Sequence, residues 1–335
     1  MISIMVWSKF TKENLLTFSK YKYLLTKDNI LLKYIKDERK NIIKFIVDNK
    51  LVSISISITR IDKCDEIYKF IKGKFVDTEN LLIDIETLNY IYEIKWNNNI
   101  IIIKSENEIK ISKKLKIIIY MIEYLKEITQ DNKNVKIYLI LSRLEKKFPK
   151  DSKIMGIKNA NSGYNDSSSN IIFIWRKEEF EKVLFHELVH NFNLDKRYDH
   201  VHNFINTTGP HLYFEALTDF HGIIYHLIYL SIITNRKMIR LLEYELGFIR
   251  NQAMNLNKIW ELDEWHKIPD NIIEQKTAAF SYYILKYLIF EYYLINKFNI
   301  SEDYESILDN VLQNKFIPVK FIELDSSRMT LLQLE

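Results

Sequence analysis

Apolar and polar positions alternate strictly through LVSISISIT (51–59), a period of two that predicts a half-buried β-strand. The run NNIIIIKSENEIKIS (98–112) predicts a strand pair turning at Ser105, Glu106 and Asn107. Helical spacing then governs KLKIIIYMIEYLKEI (114–128), DNKN breaks it, and VKIYLILS (135–142) reads as a buried strand. NANSGYNDSSSN (159–170) is polar and rich in turn formers, which predicts a loop or hairpin tip, and IIFIW (171–175) follows as a strand. Behind Glu178 and Glu179, whose charge suits a helix N-terminus, Phe180, Leu184, Leu188 and Phe192 recur at helical spacing. After a loop over 193–209, Thr207 or Thr208 can cap and Pro210 can open a second long helix, HLYFEALTDFHGIIYHLIYLSII (211–233). Further helices are expected over roughly 236–256, 270–297 and 302–314.

This pattern predicts an α+β protein with a boundary near residue 110. An N-terminal α+β region of unknown role would occupy 1–110, and the domain carrying the chemistry 111–335. With 335 residues and 47% hydrophobic content the chain can fill a substantial core, so disorder is not the default. Lys and Arg number 48 against 44 Asp and Glu, interspersed, which gives no basic stripe for nucleic acid. Cys64 is the one cysteine, so neither an intramolecular disulfide nor a cysteine zinc finger is available. The N-terminus has no basic segment followed by an apolar one, and the apolar stretches near 222–234 and 280–295 are short or carry Lys286 and Glu291. A cytoplasmic protein with no membrane span is the expectation. Six Gly, four Pro and heavy use of Ile, Lys, Asn and Tyr resemble the output of an AT-rich genome, as in some large DNA viruses or parasites.

Chemistry concentrates in VLFHELVHNF (183–192). On a helix of ~3.6 residues per turn, His186 and His190 share a face and can aim imidazole nitrogens at one ion about 2 Å away. Glu187 lies ~100° around the axis, where it reaches a water held by that ion. The plainer alternative is two ordinary histidines on an amphipathic helix, and H-E-x-x-H arises by chance in roughly one or two per cent of chains this long. Seven of the eight histidines fall between 186 and 226, and that clustering favours the metal.

Hydrolytic zinc takes three protein ligands and a water. One known pattern places a third His six positions after the second, but Lys196 stands there, Asp195 is one residue early, and Asn193 replaces the required glycine. Another takes a Glu from a second helix in the form E-x-x-x-D, and Glu215-Ala216-Leu217-Thr218-Asp219 begins 25 positions after His190. With both motifs, the chain over roughly 135–235 resembles the gluzincin clan of zinc metallopeptidases, which includes thermolysin-like enzymes.

That resemblance implies a zincin-like α+β domain: a small mixed sheet with an edge strand, the H-E-x-x-H helix, a glutamate helix and a helical C-terminal part. It implies Zn2+ held by His186, His190 and Glu215, with Glu187 as general base for peptide-bond hydrolysis and Asp219 accepting an imidazole N–H, that of His186. It also implies an oxyanion donor after the glutamate helix. TAAFSYYILKYLIFEYY offers Tyr282, Tyr283 and Tyr287, of which Tyr282 and Tyr283 are the nominees. IIFIW would be the edge strand that receives an extended peptide or protein substrate. His200, His202 and His211 compete for the third ligand position, while His221 and His226 read as packed side chains. Peptide deformylase also uses H-E-x-x-H, but Cys64 lacks the context of its cysteine ligand. The competing class is a non-catalytic zinc-containing interaction or structural protein, in which a side chain such as His200, His202 or His211 would block the fourth zinc position. Retention of Glu187 favours the enzyme.

Overall fold

Two faces of one sheet absorb most of the apolar runs. A computed structural model describes residues 7–18, 29–50, 54–195, 208, 212, 214–262, 273–295 and 321–334. In chain order these form α1 (Lys9–Phe18), α2 (Ile30–Lys50), β1 (Ile56–Arg60), α3 (Glu66–Ile71), α4 (Thr78–Ile85), β2 (Tyr90–Trp96), β3 (Asn99–Ser105), α5 (Lys113–Thr129) and β4 (Lys136–Ile140). Then come α6 (Ile157–Ala160), β5 (Gly163–Asp166), β6 (Ile171–Ile174), α7 (Phe180–Asn191), α8 (Phe214–Thr234), α9 (Met238–Ile259), a π-helical turn (Phe280–Leu285) and α10 (Lys286–Ile295). The fold is α+β. The expected helix over 302–314 lies outside the described residues.

The sheet has six strands in the order β1-β2-β3-β4-β6-β5. β1, β2 and β3 form an antiparallel meander, β4 and β6 continue it in parallel, and β5 closes the far edge antiparallel to β6. Strand periodicity sends alternate residues to opposite faces. Trp96, Ile101, Ile103, Ile137, Ile172 and Ile174 therefore join the main core with α2, α5 and α7–α10. Ile102, Tyr138, Ile140, Phe173 and Trp175 face Ile67, Ile71, Leu81 and Ile85 of α3 and α4. Both faces are covered, which is why β3, β4 and β6 read as continuous apolar runs.

Four expectations change. The boundary near 110 falls between β3 and β4, yet these strands pair from Ile100↔Lys136 to Lys104↔Ile140, so β1, β2 and β3 belong to the same sheet as the strands beyond it. The hairpin within 98–112 turns instead at Asn97 and Asn98, joining Trp96 to Asn99, with Asn97 in the left-handed region at φ 48° that Asn tolerates. IIFIW is not the edge strand: β6 pairs with β4 on one side and β5 on the other. The edge is β5, drawn from the polar segment expected to be a loop. Among the described residues of the helix expected over 270–297, helical structure starts at about Phe280, because Gln275 is bridged to Met155.

The α8 helix is long and apolar enough by length and composition to cross a membrane, and 89% of its apolar window is buried inside the protein. Residues 326–334 thread through the interior. Gln252 Nε2 donates to the carbonyls of Ser326 (2.8 Å) and Arg328 (2.7 Å), and Thr11 Oγ1 donates to that of Leu331 (2.8 Å). Their hydrogen bonds satisfy a peptide stretch that water cannot reach.

Candidate metal centre

The site rests on α7 and α8, the most extensively packed helix pair. Every residue of α7 from Glu181 to Val189 is buried, so the histidines project from a rigid core element. At its N-terminus Glu179 takes φ 60° and turns its side chain inward, where it accepts from the Thr330 N–H at 2.6 Å and pairs with the buried Lys146. The expected helix-dipole role of Glu179 thus gives way to a buried ion pair. At the other end, Asn193 adopts φ 55° and the Leu194 N–H returns to the Val189 carbonyl at 3.0 Å. That reversal brings Asp195 back to His190, whose Nδ1 it engages, while Thr218 Oγ1 donates to the same carboxylate at 2.9 Å.

On α8, Glu215 occupies the first turn and Asp219 the next. His186 Nδ1 lies 2.9 Å from Asp219 Oδ1. One turn further, a Cβ on Gly222 would stand 3.1 Å from the Cα and backbone N of His186, so the missing side chain is what lets α8 press against His186. Asp219 also receives two buried ammonium groups, Lys182 Nζ on Oδ1 and Lys286 Nζ on Oδ2 at 2.7 Å.

Each imidazole therefore has its Nδ1 held by a carboxylate and its Nε2 turned toward Glu215. Glu215 Oε2 is 3.2 Å from His186 Nε2 and 3.3 Å from His190 Nε2. One ligand atom from each of the three lies within 4.8 Å of the others. Tetrahedral ligands ~2.0–2.1 Å from zinc are ~3.3 Å apart, so the donor types and the two His–Glu separations fit that ion. Among the described residues no fourth His, Cys, Asp or Glu joins the three. His200, His202 and His211 lie outside the described residues.

The same atoms set two imidazoles against buried carboxylates. Burial opposes charge on His190, but Glu215 and Asp195 outweigh it and hold its pKa well above the usual imidazole value. Burial also works against ionised Glu215, and the two imidazoles overcome it, pulling its carboxyl far below the ordinary range.

A cleft of about 430 Å³ opens over the three, lined by Glu187, Gly163, Tyr164, Phe75 and Tyr282 among others. Glu187 is 5% exposed, and burial raises its carboxyl pKa against the pull of the histidines. Its side chain lies against β5, where a Cβ on Gly163 would come within 2.9 Å of Glu187 Oε1 and 2.7 Å of Val183 Cγ1. The outer edge of β5 has no strand partner among the described residues, and Gly163, Tyr164 and Asn165 line the cleft.

The π-helical turn separates the two nominated tyrosines. Tyr282 faces the cleft with its ring centroid 5.9 Å from that of His186. Tyr283 does not: successive helical residues point ~100° apart, and its hydroxyl donates to the Ser327 carbonyl at 2.6 Å, away from the cleft. Tyr287 is likewise buried and outside the cleft lining. His221 and His226 lie on α8 beyond Asp219, and burial lowers their pKa to about 4 and about 3.

Four contributors were not singled out by the sequence reading: Asp195 as the partner of His190, Lys182 and Lys286 on Asp219, and Gly163 beside Glu187. The signal for Asp195 is a carboxylate just past the end of the histidine helix, since a ligating imidazole needs an acceptor for its second nitrogen. No family model matches the chain, and neither a curated protein nor a solved structure matches it.

Proposed function

We propose that the chain is a zinc-dependent metallopeptidase of the gluzincin type, with a zincin-like catalytic fold. The observation that carries this reading is the convergence of His186 Nε2 and His190 Nε2 on Glu215 Oε2, at 3.2 and 3.3 Å, with the Glu187 carboxylate beside them in an open cleft. Zinc in this place would act as a Lewis acid, activating water and polarising a carbonyl. His186, His190 and Glu215 would hold the ion, and Asp219 and Asp195 would fix the two imidazole orientations through Nδ1. Glu187, which lines the cleft beside the three, would take the water proton and deliver it to the leaving amine. Tyr282, whose ring lines the cleft beside His186, would donate its hydroxyl to the substrate oxygen as charge develops there.

An extended peptide would add to the outer edge of β5, in place of the β6 edge expected earlier, and so lie across the cleft. Gly163 then has two duties, backbone pairing and clearance for Glu187. Gly163→Ala should keep bound zinc and lose about 10²-fold in peptide cleavage, because displacing a reacting group by ~1 Å has that order of effect. Unchanged turnover with zinc retained would remove Gly163 from the machinery.

The direct test quantifies metal in the purified protein by mass spectrometry and assays a mixed-length peptide library before and after chelation. About one zinc per chain with chelator-sensitive, zinc-restored cleavage supports the reading. Zinc without cleavage transfers weight to a non-catalytic zinc protein, and no zinc sinks both.

A further inference from the structure

The two imidazoles share a metal-facing geometry but have differently loaded carboxylates behind them. Asp195, behind His190, has the neutral Thr218 hydroxyl as its other side-chain partner in the described structure. Asp219, behind His186, carries two ammonium groups, one on each oxygen. Side-chain exposures are 1% for Lys182, 2% for Lys286 and 0% for Asp219, so water screens none of these charges. Burying an ammonium costs several kcal/mol before its partner is counted, and a hydroxyl satisfies the equivalent position on Asp195. Geometry alone therefore does not require lysine.

Lys182 stands one turn before His186 on α7, and Lys286 one turn after Tyr282 at the start of α10. Lys286 is braced by the Met329 carbonyl at 3.3 Å, and Lys182 by Met329 Sδ at 3.5 Å. Both ammonium groups are thus fixed on the carboxylate by surroundings that belong to neither histidine.

We infer that Lys182 and Lys286 are positioning residues that withdraw charge from Asp219, making His186 a weaker donor and trading zinc affinity for a more electrophilic metal. The inference rests on the zinc reading above. A carboxylate that accepts an imidazole N–H makes the opposite nitrogen more basic, and ammonium groups on that carboxylate oppose the effect. Net charge points the same way. Glu187, Glu215, Asp195 and Asp219 gather carboxylates around the place of a divalent ion, and the two ammoniums on Asp219 offset part of that charge. Removing one ammonium makes the surroundings more negative, which holds a divalent cation harder.

The sign separates tuning from bracing. Loss of a plain strut loosens His186 and weakens zinc binding, typically 10–100-fold for a partner of a metal ligand. Loss of a charge-withdrawing group strengthens it. Lys286→Gln keeps a donor for Asp219 Oδ2 without the charge, and Lys286→Arg keeps the charge. Zinc dissociation constants are measured at matched pH by competition with a chromophoric chelator, together with kcat for cleavage. The expected result is about tenfold tighter zinc in Lys286→Gln with lower kcat, and Lys286→Arg close to wild type. Should Lys286→Gln not fold, Lys182→Gln tests the other oxygen with the same expected sign. Equal or weaker zinc in the neutral variant of a zinc-binding wild type overturns the inference alone. A wild type that binds no zinc overturns the metal reading with it.

Discussion

Glu187→Gln should bind zinc as the wild type does and cleave peptides about 10³-fold more slowly, within the range general-base removal produces. The amide matches the carboxylate in shape, so it fits the clearance that Gly163 leaves, and His186, His190 and Glu215 keep their positions. It cannot accept a proton. Burial disfavours the charged form of Glu187 in the metal-free protein. A carboxyl with a folded pKa above its unfolded value weakens folding as pH rises through the unfolded value, so neutralising it should not lower the melting temperature near pH 7. The pair of measurements is zinc content and kcat on one protein preparation. Cleavage within tenfold of wild type would remove Glu187 as the base, whatever the metal content.

The second large effect is on stability. Lys146→Met should cost about 3–5 kcal/mol at neutral pH, read from urea unfolding, because it strands the buried Glu179 charge. Lys146 and Glu179 both have 0% side-chain exposure. Glu179 also accepts from the Met329 and Thr330 N–H groups, so its ionised form is built into the interior. Burial pushes its pKa up, and Lys146, Arg328 and Lys182 more than reverse this, leaving it below the usual carboxylate value. A depressed folded pKa adds stability above the unfolded value, and that stability is lost as pH falls through the folded one. In Lys146→Met the stranded Glu179 can take a proton instead, so the gap between the two proteins should narrow on acidification. A gap below about 1 kcal/mol at pH 7 would mean that the pair is not an uncompensated charge when broken.

The elements that build the centre were legible wherever a periodicity ran long. His186, His190, Glu215 and Asp219 sit on two helices whose apolar spacing could be read directly, and their relative positions follow from the 3.6-residue turn. β4 and β6 were legible as apolar runs for a related reason, since both of their faces are covered. β5 was not. Gly163-Tyr164-Asn165-Asp166 is too short and too polar to alternate visibly, and it is a strand because β6 pairs with it. The place of the first hundred residues was hidden for the same reason, because pairing of β3 with β4 is a tertiary fact that no local pattern carries. Lys286 marks the limit most clearly. Inside an apolar stretch it reads as an interruption, and its reason for being buried is Asp219, 67 positions earlier.

The threading of residues 326–334 has a consequence for the order of assembly. Glu179 receives its backbone donors from Met329 and Thr330, Lys286 is braced by Met329, and Tyr283, beside the cleft tyrosine, is anchored on Ser327. A ribosome makes those residues more than 130 positions after the histidine helix, as the separation of 150 between Glu179 and Met329 requires. While they are still inside the exit tunnel, the buried charges behind the histidines lack their partners, so a nascent chain holds H-E-L-V-H without the scaffold that orients it. Completion of the candidate centre thereby waits for a segment that emerges long after the histidine helix, so its bracing is a late event in synthesis however early the helix itself forms.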